Sequence, residues 1–457
     1  MSDNKLPNGW IETKFENLIG QNGVFSDGDW VESKDQDPNG DVRLTQLADI
    51  GDMHFIDKSH RFMTSQKADA MKCLYLQKDD LLISRLGDPL GKACLYPANE
   101  DKAVTVVDVC VFRPGHSQVD PLLVGYFLNS IVLRQSMNLQ ASGTTRKRIT
   151  GKKIKALPFR LPPFNEQKRI VDRVEMLFSD LDKGEELVKQ VQKQLATYRQ
   201  SVLKAAVTGE LIGKKTNNWK KYSVGDLITD IRYGTSKKCA PNPSKTPVLR
   251  IPNVAGGKID TADLKHTDFT DAELEKLKLE AGDILIVRSN GSVSLVGLSA
   301  IVTEEAVGFA YAGYLIRLRL DHEIILPEFL NLYLHSPIVR NKIELEARST
   351  SGVHNINSTE VKAISLQVPS ITEQEEIIDR VEEAFSQINA MEQWCEAGLK
   401  RSATLRQSIL KDAFSGKLVP QDPADEPAKE LLKRIQSVQD NKPAVARGRK
   451  TKKARAG

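Results

Sequence analysis

The sequence predicts an α+β protein built twice. Two strand-rich globular units, related by a pseudo-two-fold, are joined by two long helices that pair as an antiparallel coiled coil. Three observations carry this expectation. Residues 154–211 recur at 361–418 at a constant offset of 207, without a gap and with about two positions in five identical, and self-similarity at a long period signals a repeated architecture. Each copy holds one long helical pattern with an apolar seam. Each copy also follows a stretch of short β-branched runs bounded by turn residues. The expected order is a first globular unit at 1–153, the first repeat with its helix at 154–212, a second globular unit at 213–360, the second repeat at 361–418, and a C-terminal segment with a disordered basic tail at 419–457.

The totals narrow the function classes. A chain of 457 residues with 40% hydrophobic and 27% charged residues suits a protein of two to four domains. No apolar run is long enough to span a bilayer, and the N-terminus lacks a basic stretch followed by an apolar one, so neither a membrane nor a secretory signal is expected and the reading is cytoplasmic. Five scattered cysteines without a CxxC pair predict packed, reduced thiols rather than zinc or disulfides. The net charge of +5 misleads, because Lys442, Arg447, Arg449, Lys450, Lys452, Lys453 and Arg455 supply seven positive charges with no acid after Asp440. The rest of the chain is close to neutral. Any nucleic-acid surface must be a local patch.

The helices carry the strongest local signal. Ile170, Val174, Leu177, Leu181, Val188, Val191, Leu195, Tyr198 and Val202 step by four and three with one default at Gly184, which is a heptad seam. The copy runs Ile377, Val381, Ala384, Ile388, Met391, Cys395, Leu405 and Ile409, with Gly398 and Ser402 as small seam residues expected to face bulkier ones. Pro162 and Pro163 end the preceding extended segment and Asn165 is the expected cap. In the copy Pro369 precedes Thr372, and Thr372 with Glu375 fits a capping box. Gly209 and Gly416 mark the ends. A helix of this length with an apolar stripe needs a partner, and its own copy, antiparallel, would set the globular units at opposite ends of a rod.

The globular units match each other faintly. Segments 79–87, 103–114, 282–291 and 313–320 read as strands. Trp10 and Trp219 sit just inside each start. Arg43-Leu44 and Arg250-Ile251 are followed by Gln46 and Asn253. Asp80 to Arg85 mirrors Asp283 to Arg288, and Ser142-Gly143 mirrors Ser351-Gly352. One scaffold with divergent loops is how a fold reads two ligands.

Catalytic motifs fail where they are tested. Leu161-Pro162-Pro163-Phe164 puts leucine where an amino-methyltransferase needs Asn or Asp, and Gly87-Asp-Pro-Leu-Gly91-Lys92-Ala93 is one residue short of a P-loop and ends in alanine. The seven histidines show no metal-ligand spacing.

The order of variable unit, repeat, variable unit, repeat, with the element P-x-x-x-E-Q-x-x-I opening each helix, resembles the DNA specificity subunit of type I restriction-modification enzymes. The element is Pro162, Glu166, Gln167, Ile170 and again Pro369, Glu373, Gln374, Ile377. The resemblance spans about residues 6–435. It implies that each globular unit is a target recognition domain reading one half of a split double-stranded DNA site, and that the coiled coil fixes the unread spacer. It implies two modification subunits with S-adenosylmethionine and two restriction subunits with ATP and magnesium, this chain carrying no cofactor and no catalysis. Glu166, Gln167, Arg173, Glu373, Gln374 and Arg380 become the expected subunit-docking residues. The alternative is a coiled-coil scaffold for proteins without DNA selectivity.

Base edges are told apart by Arg on guanine and by Asn or Gln on adenine. Candidates in the first unit are Arg43, Gln46, Arg85, Lys92, Arg146, Lys147 and Arg148, the last three in a loop with Thr144 and Thr145. In the second they are Lys237, Lys238, Arg250, Asn253, Arg288, Asn290, Ser292, His354 and Asn355. An arginine shared by both units is expected to hold the fold or a phosphate, and unshared Gln46, Asn290 and His354 to read sequence.

Overall fold

A computed structural model describes residues 6–143, 146–346, 349–350 and 353–437. The basic tail, Thr144-Thr145 and the Ser351-Gly352 loop lie outside the described residues. The two long helices span Phe164–Val207 and Ile371–Ala413, about 65 Å each at ~1.5 Å per residue. The chain forms two compact units that interleave along it: residues up to Glu186 with those from Leu399 onward, and Leu187–Gly398. Each unit thus holds one globular domain, the start of one long helix and the end of the other.

The two globular domains share one topology. In the first, Val24–Asp27, Val109–Arg113, Leu81–Ser84 and Ala93–Leu95 form a four-stranded antiparallel sheet in that order. In the second, Ile228–Tyr233, Leu315–Leu320, Ile284–Val287 and Ser299–Ile301 do the same. A three-stranded sheet with one parallel pair accompanies each, Val42–Thr45 beside Ala103–Thr105 and Thr246–Leu249 beside Ala310–Tyr311. A two-stranded ladder closes each domain, Ile11–Lys14 on Pro158–Leu161 and Lys220–Ser223 on Ser365–Val368. These short β-branched strands, buried on the sheet side, are what the sequence pattern announced.

Both long helices start one residue before the expected caps. Asn165 and Thr372 lie inside the first turn, while the carbonyls of Pro163 and Ser370 accept the first helical bonds from Gln167 and Gln374. The capping box of the second helix is therefore Ser370 with Glu373, whose carboxylate accepts from the Ser370 N–H at 3.0 Å and hydroxyl at 2.9 Å. At the far ends Gly209 (φ +76°) and Gly416 (φ +69°) are left-handed, and a Cβ on Gly416 would lie 2.3 Å from the Pro7 ring. Conformation and close approach both require glycine there.

Within each unit the helix segments run antiparallel. In the first, Arg406 reaches Asp182 at 2.7 Å and Glu185 at 3.1 Å, and Ser402 donates to Glu185 at 2.6 Å. In the second, Arg199 reaches Asn389 at 2.8 Å and Glu392 at 3.2 Å, while Arg380 donates to the Leu211 carbonyl at 3.1 Å. The seam differs from the expected one. Leu181, Glu185, Val188, Gln192, Leu195, Arg199 and Val202 are the inward positions, and Val191 and Tyr198 are 40% and 55% exposed. On the second helix Glu392, Leu399 and Arg406 replace Met391, Gly398 and Leu405. Both alternations share positions 181, 188, 195 and 202, so the apolar pattern followed the wrong intermediate positions. Charged Glu185, Arg199, Glu392 and Arg406 occupy most of the right ones, with Gln192 and Leu399 at the others. Arg406 lies over Phe178 at 5.1 Å and Arg199 over Phe385 at 4.7 Å.

The helices are part of the domain cores. Ile170, Val174, Leu410 and Ala413 join Phe15, Phe112 and Phe159 in the first unit, and Val202, Ala206, Ile377 and Val381 join Phe329 and Ile316 in the second. The C-terminal segment also belongs to the first core. Helix Ala428–Ser437 buries Ala428, Leu431, Leu432 and Ile435 there. The second unit closes the corresponding stretch with partly buried Leu211 and Ile212.

Candidate nucleic-acid interface

Each four-stranded sheet is fixed by one buried carboxylate. Asp80 receives Arg113 through Nε at 2.5 Å and Nη2 at 2.6 Å, and Asp283 receives Arg319 at 2.9 and 2.8 Å. These two-pronged pairs align the two sheets residue by residue. Leu81–Ser84 corresponds to Ile284–Val287, so Arg85 corresponds to Arg288. Cys110 opposite Asp27 corresponds to Ile316 opposite Tyr233.

Several expected base contacts are structural. Arg43 is 3% exposed and held by Asp57 at 2.7 Å, with Glu100 at 3.5 Å and Asp49 at 3.7 Å. Arg85 is 4% exposed and bonded to Asp27 at 2.5 Å. Asn253 is 2% exposed and donates to the carbonyls of Asp260 and Asp263 while accepting from the Arg250 N–H. Arg250 is taken by Asp263 at 2.8 Å. Arg43, Arg85 and Asn253 are thus held inside the fold, while Arg250 is half-buried and engaged by Asp263. Gln46 is half-buried at the end of strand Val42–Thr45, its N–H bonded to Asp49.

The remaining candidates gather at one rim of each sheet. In the first unit, Leu86 bridges Arg148, which also bridges Ser142. This lays Arg146, Lys147 and Arg148 beside the segment leading to Lys92. Arg148 pairs with Asp108 at 3.0 Å, whereas among the described residues Lys92, Arg146 and Lys147 have no ion pair. In the second unit Ser289 and Asn290 pair with Asn355 and His354, and Ser292 donates its N–H to the Asn290 side chain at 2.9 Å. The Ile149 N–H bonds the Arg85 carbonyl just as the Ile356 N–H bonds that of Arg288. Lys147 and Arg148 therefore correspond to His354 and Asn355. Away from this rim, Lys237 is paired with Glu273 at 2.7 Å over the Phe269 ring, and Lys238 is exposed.

The expected docking residues divide in the same way. Gln167 and Gln374 are fully buried. Each donates its amide to the preceding proline carbonyl, Pro162 at 3.1 Å and Pro369 at 3.0 Å, and ties the helix start to its own domain. Glu166 is 1% exposed and accepts the Trp10 indole N–H at 3.0 Å. Burial pushes its carboxyl above the ordinary range. Glu373 caps its helix and binds Lys214 at 3.0 Å, which lowers its carboxyl. Gln167, Gln374 and Glu166 thus face the interior of their own domains. Arg173 and Arg380 remain exposed.

Sequence reasoning missed two features. Asp27 and Tyr233, the residues beside the rim arginines, each precede a glycine, Gly28 and Gly234, that abuts a backbone carbonyl. That shared glycine was the available signal. The second feature is an exposed apolar face. In the second unit Leu187 (62%), Val191, Tyr198, Met391 and Trp394 (80%) are exposed, and in an antiparallel pair these flanking positions share one side of the seam.

The family model described as Type I restriction modification DNA specificity domain matches twice, at residues 24–195 and 216–397. The chain belongs to the family of type I restriction-modification DNA specificity subunits. It is 31% identical over 313 residues to the type I restriction enzyme EcoKI specificity subunit of Escherichia coli strain K12, covering 66% of this chain and 67% of that one. It is 28% identical over 351 residues to the StySPI specificity subunit of Salmonella potsdam, covering 74% and 75%. A chain solved in work on complex assembly and conformational transition of the type I R-M system shares the fold. Its TM-score is 0.69 at 18% identity over 91% of this chain and 100% of that one. The HsdS subunit from Thermoanaerobacter tengcongensis gives a TM-score of 0.53 at 17% identity over 90% and 98%.

Proposed function

We propose that each unit reads one half of a bipartite double-stranded DNA site and that the helix pair sets the unread spacer. The observation that supports this is one sheet scaffold, fixed by the same Asp–Arg pair, carrying different side chains at its rim: Lys92, Arg146, Lys147 and Arg148 in one unit, Asn290, Ser292, His354 and Asn355 in the other. Phosphate contacts supply affinity and a few base contacts supply selectivity. Joining two readers makes the second engagement intramolecular, which raises affinity only where the spacer fits. The exposed face around Leu187, Tyr198 and Trp394 is the candidate seat for two modification subunits, with two restriction subunits completing the complex. S-adenosylmethionine, ATP and magnesium are assigned to those partners, and this chain directs the reaction without performing it.

The test is to co-express the chain with its modification subunits and map methylated sites by single-molecule sequencing. A two-part motif with a fixed gap is the expected result. Lengthening both long helices by one heptad should change the gap and leave both half-sites unaltered. A changed half-site would count against the spacer role, and binding without any motif would favour the protein-scaffold alternative.

A further inference from the structure

The two rims place their charge differently. At the end of the central strand, the first unit's Arg85 is buried against the Asp27 carboxylate at 2.5 Å. The second unit has Tyr233 at the position of Asp27. Arg288 lies over that ring at 4.5 Å, and among the described residues no carboxylate or other acceptor takes its guanidinium. The Nε of both arginines is buried without a hydrogen-bond partner, and beside Arg288 so is Oδ1 of Asn355 on the adjoining strand. The strands that pair beside it carry Asn290, His354 and Asn355, where the first unit has Lys147 and Arg148.

We infer that Arg288, held by Tyr233 and flanked by Asn290 and Asn355, is the guanine-reading residue of the second unit, and that its counterpart Arg85 reads nothing. The inference rests on the DNA-reading role proposed above. A guanidinium stacked on an aromatic ring loses orientational freedom and keeps its donors, which suits the fixed O6/N7 pair of guanine. The neighbours argue for a base and not a phosphate. A phosphate site gathers cations, as the 146–148 loop does, whereas amides and an imidazole recognise base edges and add little attraction to the backbone. Replacing aspartate by tyrosine at this one position turns a structural arginine into an available one.

The experiment selects full-length chain, assembled with its modification subunits, against a pool of randomised duplex DNA and sequences the bound fraction. Wild-type protein should return two half-sites. Arg288→Ala should lose preference for one guanine in one half-site about tenfold, leaving the other half-site intact. Tyr233→Asp, which supplies the carboxylate that captures Arg85 in the first unit, should lose the same guanine. Arg85→Ala should shift no base position. Thermal unfolding of each variant separates misfolding from lost reading. Two half-sites with every position unchanged in both Arg288→Ala and Tyr233→Asp would overturn the inference and leave the DNA-reading role standing. A uniform loss of affinity with an unchanged motif would make Arg288 a phosphate contact and overturn it equally. Absence of any motif in the wild type would remove the DNA-reading role itself.

Discussion

In the first unit the strand-end arginine meets a carboxylate, and in the second the corresponding arginine meets an aromatic ring. The same contrast recurs where each long helix begins. Glu373 accepts from Ser370 and stays near solvent with Lys214. Glu166 stands at the equivalent place, but Pro163 replaces Ser370 and offers neither N–H nor hydroxyl. Its carboxyl turns inward and takes the Trp10 indole N–H, while the Trp219 indole N–H is buried without a partner. A duplicated scaffold thus keeps its backbone while its polar partners change with the neighbouring side chains, and the Trp219 donor goes unsatisfied where Glu373 is taken by Ser370 and Lys214.

The largest expected effect tests what the units share. Asp80→Ala should cost about 3 kcal/mol by leaving the half-buried Arg113 without its carboxylate. Asp283→Ala should cost less, since Arg319 keeps Glu280 at 2.7 Å. Chemical denaturation of both variants checks the order, and equal losses would dissolve the distinction. Next comes the C-terminal helix, which only the first unit has in its core. Leu431→Ala should cost about 2 kcal/mol, the lower end for truncating a buried leucine. Hydrogen exchange should rise in the first globular domain and not in the second. Exchange rising equally in both would show that the units unfold together.

The seam arginines should follow. Arg406 meets two carboxylates, Asp182 and Glu185, and Arg199 meets one, Glu392. Arg406→Met should cost about 1 kcal/mol and weaken with salt more than Arg199→Met; identical salt dependence would contradict the charge count.

The smallest effect concerns the two glutamates. The folded value of Glu166 is raised by burial, so its contribution is present below about pH 4.5 and is lost as pH rises through the folded value. The value of Glu373 is lowered, chiefly by Lys214, so its contribution is present above about pH 4.5 and is lost as pH falls through the folded value. Glu166→Gln keeps an acceptor for Trp10 and should be neutral or stabilising at pH 7, whereas Glu373→Gln should cost up to about 1 kcal/mol. Unfolding followed from pH 4 to 8 should show the two variants departing from wild type in opposite directions.

The sequence by itself determined the duplication, the two long helices, the strand-rich domains and their glycine-marked ends, because periodicity and turn chemistry are local properties of the chain. It also identified the family, because both P-x-x-x-E-Q-x-x-I elements stand in register. The tertiary structure decided the rest. The seam moved off Val191 and Tyr198 because Glu185 and Arg199 find partners across the helix pair, and an apolar pattern cannot register partners. Gln167 and Gln374 act as internal ties, which their spacing alone did not reveal. Arg43, Arg85 and Asn253 are held inside the fold by Asp57, Asp27 and the Asp260 carbonyl, partners that no local pattern announces. What separates Arg288 from Arg85 is the residue on the strand facing each one, a neighbour that exists only once the sheet has formed.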